Sequence, residues 1–270
     1  MTAIMSYFSR FSPVLTSYDF LKLFAVVTMI FDHVGFYFYP DEQWLRVVGR
    51  MSFPCWMFLI GYARTRDIPK SFIVGGLLLT LANISFSNYI LPVTLFATFI
   101  MARLVLDRLA RVVFRSVESA ATSFWSLLVL AVPTYMVFEY GTLAFLMGLF
   151  GYAVRHRDDI KLGPRFLPVF SAAIFTGYVV VECLFFGWFG GIYPVALALV
   201  VFIVGAVLYR FKPIEFPELT ARMPSVPKWI LQFCGRYSLE IYVGHVILFI
   251  AVSKFMNPEG FDWFMPTLFP

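Results

Sequence analysis

Charge inside an apolar segment constrains this chain more than any other feature. The stretch from Tyr18 to Gly35 is long and hydrophobic enough to cross a membrane, yet it contains Asp19, Lys22, Asp32 and His33. An ionised side chain at a bilayer centre costs about 2.5–3.5 kcal/mol on insertion scales and more in simulation. Chains keep such groups where they face a protein interior and pair, bind or react. The segment is therefore expected to be a helix with its polar residues turned inward, and the rest of the fold has to supply their partners.

The remainder of the sequence makes that surrounding a helical bundle. Of 270 residues, 60% are hydrophobic and only 14% charged, where a soluble domain carries about a quarter. The mean hydropathy is +0.81. The 33 Phe and 14 Tyr suit lipid-facing surfaces and interfacial belts. The fold class expected is all-α, a polytopic transmembrane bundle. No polar stretch is long enough to build a second core. Basic residues lie in short loops, so the net charge of +5 is a topology signal and not one for nucleic acid. Cys55, Cys183 and Cys234 form no CxxC and no disulfide framework, and no metal site is expected. The first apolar segment lacks a small-x-small site and runs into Tyr37-Phe38-Tyr39-Pro40, which reads as a retained span and not a cleaved signal.

About nine spans (eight to ten) are expected, near 19–38, 47–63, 71–88, 90–106, 122–138, 141–154, 167–187, 189–209 and 229–252. Residues 1–17 read as an interfacial N-terminal segment, 18–255 as the bundle and 256–270 as a short extracytoplasmic tail. Arg64, Arg66 and Lys70 follow the second span; Arg103, Arg108, Arg111 and Arg115 follow the fourth. Arg155, Arg157, Lys161 and Arg165 follow the sixth, and Arg210, Lys212, Arg222 and Lys228 the eighth. The alternate loops hold Asp41, Glu42 and Glu139, and the tail Glu259 and Asp262. This bias predicts a cytoplasmic N-terminus. No internal repeat is evident, and the proline-rich segment 210–228 reads as an extended connector.

Orientation assigns depth. Lys22 and His33 are separated by roughly 16 Å along a helix, almost three whole turns, so both point to one face with Val26 and Met29 between them. Asp19 lies one turn from Lys22 and is placed to pair with it. Arg50, at the start of the second span, is level with Asp32, its expected partner. Pro54 removes the backbone bond that would reach the Arg50 carbonyl, which predicts a bend. Glu182 lies at the same outer level. In the last span Arg236 and Glu240 are inner, with the i, i+4 spacing of a supporting pair. Ser238, Tyr242 and His245 share a face of that helix. Each site has a plain structural alternative: Lys22 snorkelling to the interface, Asp32–Arg50 as a structural ion pair, His33 and His245 bonded to backbone carbonyls, Glu182 reaching the outer interface.

Asp19-x-x-Lys22, followed after ten intervening residues by His33, resembles the first-helix signature of the acyltransferase-3 family of membrane-bound acyltransferases. The block Gly235-Arg236-Tyr237-Ser238 through Tyr242 and His245 is similar to the last motif of that superfamily, which includes heparan-alpha-glucosaminide N-acetyltransferase. The chain resembles the TraX family more closely, through Asp32-His33-Val34-Gly35, through Gly49-Arg50-Met51-Ser52-Phe53-Pro54 and through Tyr140-Gly141. The acid at Glu240 departs from the pattern. The resemblance implies an acetyl-CoA-dependent acyltransferase of a bacterial inner membrane, with acceptor an amine or hydroxyl of a pilin, glycan or lipid. On that reading Lys22, Arg236, Asp19 and Met29 line the acetyl-CoA path, and His33, Asp32, Arg50 and His245 carry the chemistry. Glu182, Tyr242 and Ser238 face the acceptor. The competing expectations are a transporter or flippase using the intramembrane charges, and a non-catalytic membrane subunit.

Overall fold

The computed structural model describes residues 14–188, 190–256 and 263–269. The expected interfacial segment therefore lies largely outside the described residues, as do Glu259 and Asp262 of the tail. Among the described residues there are helices and isolated bridges but no strand. The helices, in chain order, are α1 (Ser17–Phe38), α2 (Gln43–Gly49), α3 (Ser52–Tyr62), α4 (Lys70–Ser85), α5 (Leu95–Val113) and α6 (Val117–Tyr135). They continue with α7 (Leu143–Arg155), α8 (Phe166–Phe186), α9 (Tyr193–Tyr209), α10 (Pro217–Arg222), α11 (Ser225–Arg236) and α12 (Ser238–Met256). Four of them, α1, α6, α8 and α12, are long and apolar enough to cross a membrane. Large apolar side chains such as Leu77, Val129, Val169, Val195 and Leu248 stand exposed on the outer faces, as in a bundle surrounded by lipid.

The helices depart from the expected spans where the protein interior overrides periodicity. The second span is two helices, α2 and α3, broken at Arg50–Met51. Pro54 has no N–H for the Arg50 carbonyl, and the hydroxyl of Tyr178 donates to that carbonyl instead, at 2.8 Å. The fourth begins late, at Leu95, because residues 90–93 run extended and pair with 267–268 and 137. The last is split at Tyr237 into α11 and α12. Arg236 and Glu240, expected at i, i+4 in one helix, stand on either side of this break. The connector 210–228 is not wholly extended: Pro217 opens α10, its fixed φ suiting a first helical turn.

Helix α7 has ten of its 13 residues buried and packs against α3, α5, α6 and α8. Enclosed by protein, it need not match the bilayer in length. Its contact with α3 is a backbone approach: a β-carbon at Gly151 would run into the Phe58 backbone, and one at Gly61 into the Gly148 carbonyl. Helix α1 lies against α2, α3, α11 and α12, so its polar residues face protein.

The bundle has two chemically different ends. At one, α3, α7 and α9 terminate together and arginines close their last carbonyls. Arg66 donates to Ile60 (2.7 Å) and Gly61 (3.1 Å), Arg155 to Tyr62 (2.7 Å), and Arg157 to Tyr209 (2.6 Å). These cations meet the negative ends of helix dipoles. The basic loops expected on one side of the bundle are thus gathered at one end of it. The other end holds the candidate site.

Candidate functional site

The site is built around Arg50. One guanidinium nitrogen donates to the Asp32 carboxylate from α1 and another to Glu182 from α8, at 3.0 Å. Asp32, Arg50 and Glu182 are 6%, 3% and 0% exposed. Arg46, one turn earlier on α2, donates to the Asp32 carbonyl at 2.8 Å and stands 3.1 Å from the carboxylate. The close approach of α1 and α2 requires Gly49, because a β-carbon there would overlap the Asp32 side chain. Arg50 also lies over the rings of Phe186 and Tyr140, 5.0 and 5.7 Å from their centroids. The expected Asp32–Arg50 pair is therefore present, and Glu182 belongs to it instead of facing an outer interface. Three polar atoms of this cluster, Asp32 Oδ1, Arg50 Nε and Glu182 Oε1, are buried without a hydrogen-bond partner. Buried polar atoms are usually hydrogen-bonded, so these three stand out within the cluster.

His33, next in sequence to Asp32, turns away from it. Its Nδ1 lies 2.6 Å from Nε2 of His245 on α12, and the two rings stack with centroids 4.9 Å apart. Asp32 is occupied by two arginines, and His245 holds His33. His245 Nδ1 in turn lies 2.6 Å from the Ile241 carbonyl. A carbonyl only accepts, so His245 Nδ1 carries a proton. In a neutral pair His245 Nε2 then accepts from His33 Nδ1–H, and His33 Nε2 is left with a lone pair. That nitrogen has no hydrogen-bond partner among the described residues. Both histidines do bond within the core, but only one of them to a carbonyl.

His33 lines a cavity of about 180 Å³ together with Asp32, Arg46, Arg50, Tyr37 and Tyr242. Asn83 and Tyr89 close it from the end of α4 and the loop beyond. Tyr135, Glu139 and Tyr140 close it from the end of α6 and the connection to α7. The rings of Tyr242 and Tyr37 are centred 5.9 and 6.4 Å from that of His33. The wall is thus aromatic with cations on one side, a carboxylate on another and an imidazole lone pair. This is a set of groups that can bind a polar reactant and move its proton.

The residues expected along the inner half of α1 are placed differently. Lys22 Nζ donates to the Gly235 carbonyl at 2.8 Å, closing the end of α11. Asp19 does not pair with it: its carboxylate accepts from the Thr16 N–H and hydroxyl, both at 2.8 Å, and so starts α1. Val26 and Met29 are buried at 2% and 4% exposure. Met29 touches only a void of about 10 Å³, shared with Trp56, Ser238 and Tyr242. The stripe between Lys22 and His33 is filled by side chains. Ser238 is buried there, one turn from Tyr242, which alone borders both spaces. Arg236 ends α11 and is not among the residues lining the cavity.

Sequence reasoning missed Arg46, Glu139 and the tyrosines of the cavity other than Tyr242. Arg46 was findable, since it precedes Arg50 by four residues and shares its helical face. Glu139 carried a weaker signal, as an acid placed in a loop yet adjoining the Tyr140-Gly141 step.

Helices suited to crossing a membrane, enclosing a buried charge cluster and a histidine pair on a polar cavity, define an all-helical membrane protein with an internal polar site. Residues 17–253 match the family model described as TraX protein, and the chain belongs to the TraX family. It is similar to the uncharacterized protein RP591 of Rickettsia prowazekii (strain Madrid E), at 27% identity over 171 residues. That alignment covers 59% of this chain and 64% of the relative. No solved structure matches it.

Proposed function

We propose that this TraX-family protein is a multi-pass acyltransferase of the bacterial inner membrane, with its N-terminus cytoplasmic. It transfers an acetyl group from acetyl-CoA to an amine or hydroxyl on a pilin, glycan or lipid acceptor. The observation that carries the reading is the oriented chain Ile241 carbonyl–His245–His33, which leaves an unpartnered lone pair on His33, a residue that lines the polar cavity. A base so held takes the acceptor's proton as the acceptor attacks the thioester carbonyl; the new C–N or C–O bond forms and the C–S bond breaks. His245 acts through His33, fixing its tautomer and sharing the positive charge. Arg50 and Arg46 form the cationic wall against which the carbonyl oxygen gains charge. Asp32 and Glu182 hold Arg50 in place.

Donor binding is proposed at the end of α1 that carries Lys22. Its ammonium uses one of three donors on Gly235 and keeps two for a phosphate. Because the stripe from Val26 to Met29 is packed, reaching His33 from there requires α11 and α12 to move apart from α1.

The test is incubation of the purified protein with labelled acetyl-CoA and a membrane extract, followed by identification of the labelled product. Wild type is expected to label an acceptor and His33→Gln to lose at least 100-fold, in the range of general-base catalysis. Full transfer by His33→Gln would overturn the mechanism. Solute accumulation in proteoliposomes without acetyl-CoA would point to transport.

A further inference from the structure

Glu139 lies in the connection between α6 and α7, outside the helices, and the fold holds it firmly. Its N–H donates to the Val93 carbonyl at 3.3 Å, and its own carbonyl accepts from the Thr98 hydroxyl at 2.9 Å. The next two residues are both left-handed, Tyr140 at φ 64° and Gly141 at φ 47°. A β-carbon at Gly141 would meet Thr134, so glycine is required there. A non-glycine residue in this region costs on the order of 1–3 kcal/mol and persists where its surroundings over-determine it. Here the Tyr140 ring is clamped against Phe53, 3.6 Å between centroids. This turn is what brings the Glu139 and Tyr140 side chains to the cavity.

Among the cavity-lining carboxylates, Asp32 is bound by two arginines, whereas Glu139 has no ion pair among the described residues. The N–H of Leu95, the first residue of α5, favours the charged form of Glu139. Glu139 lines the same cavity as Tyr37 and Tyr242, the two rings that flank His33. A carboxyl and an imidazole lone pair therefore share one aromatic-walled space.

We propose that Glu139 is the second acid–base group of the site, protonating the departing thiolate while His33 accepts the acceptor's proton. The inference rests on the acyl-transfer reading. In the balanced step the acceptor X–H loses its proton to His33 Nε2, X bonds to the acyl carbon, and the C–S bond breaks. The sulfur takes the Glu139 carboxyl proton, and the His33 imidazolium afterwards returns its proton to the Glu139 carboxylate. The net change is one X–H and one acyl–S bond replaced by one acyl–X and one S–H bond. Burial pushes the Glu139 carboxyl up to about 7, with Arg50 and the Leu95 N–H acting against it. The titratable and charged groups facing it are Asp32, His33 and Tyr37 of α1, then Arg46 and Arg50 at α2. Tyr89, Tyr135, Tyr140 and Tyr242 complete the set.

The test uses the purified full chain and compares pH–rate profiles of acetyl transfer for wild type, Glu139→Gln and Glu139→Asp. The glutamine keeps an acceptor for the Leu95 N–H but has no proton to give. It is expected to lower kcat by about 100-fold, to leave the KM for acetyl-CoA within about threefold and to abolish the alkaline fall of activity near pH 7. Glu139→Asp is expected to restore part of the rate and the alkaline limb. Infrared difference spectra between pH 5 and pH 9 give a readout independent of turnover: wild type should show a titrating carboxyl carbonyl band that Glu139→Gln lacks. A glutamine variant with wild-type rate, or a slowed one with an unchanged profile, would overturn the role of Glu139 and leave acyl transfer standing. A wild type that transfers no acetyl would overturn both.

Discussion

Replacing Arg50 by methionine tests whether the buried cluster is held by one shared cation. The guanidinium is 3% exposed and bonds two carboxylates from different helices. After the substitution Asp32 still has Arg46 at 3.1 Å, whereas Glu182, at 0% exposure, loses the ion partner it has among the described residues. Removing one member of a buried ion pair costs about 3–5 kcal/mol, because a charge is left without compensation in a medium that cannot solvate it. For a chain of this size that corresponds to a fall in Tm of about 6–20 °C. Glu182→Gln alone should cost less, since Arg50 retains Asp32. In the double variant Arg50→Met/Glu182→Gln the stranded charge is gone, and about half of the loss should return. Thermal unfolding in detergent can be followed with a thiol-reactive fluorophore in a Cys234→Ser background. The probe then reads exposure of Cys55 and Cys183, both buried in the folded protein. Costs that add to within about 0.5 kcal/mol would show that the two residues are not coupled and would refute the reasoning.

Two further perturbations follow from the helix contacts. Tyr178→Phe removes the donor to the Arg50 carbonyl and should cost about 1–2 kcal/mol; in a Pro54→Ala background, where a backbone N–H can reach that carbonyl, the cost should shrink to under half. Equal losses in both backgrounds, measured by the same unfolding assay, would mean that the tyrosine does not replace the missing bond. Gly151→Val puts a branched side chain into the Phe58 backbone and should cost at least 2–3 kcal/mol or prevent folding, whereas Gly244→Ala, which meets nothing within 4 Å, should be neutral by unfolding or yield of monodisperse protein.

Much of this molecule was legible in the sequence because depth in a membrane is a one-dimensional quantity. Once loop charge orders the segments, residues such as Asp32, Arg50, Glu182, His33 and His245 fall at one level, and the structure brings all five to one end of the bundle. Level does not say which neighbour a side chain chooses. His33 rests on His245, while Asp32, its neighbour in sequence, is taken by Arg46 of α2 and by Arg50 just beyond that helix. The inner residues were less legible still. Lys22 read as a donor-binding group and the loop arginines as a topology signal, but Lys22 and several of those arginines bond backbone carbonyls at helix ends, which exist only after the helices stop where they do. Glu139 was hidden by its place in a loop, and only the left-handed turn at Tyr140 and Gly141 carries it into the cavity.

The bond from His245 to the Ile241 carbonyl has a consequence for how this site can change. That carbonyl is part of the helix backbone, so no side-chain substitution removes it while α12 stays helical. The hydrogen-bond donor direction of the pair is set by the main chain, which leaves the open lone pair on His33 Nε2 while His245 is present. Replacing His33 by a residue without a basic nitrogen abolishes the lone pair, whereas replacing His245 leaves His33 a lone pair but removes the partner that fixes which nitrogen carries it. Selection could therefore tune the cavity walls and the acceptor freely, while the polarity of proton movement stayed fixed by one turn of backbone.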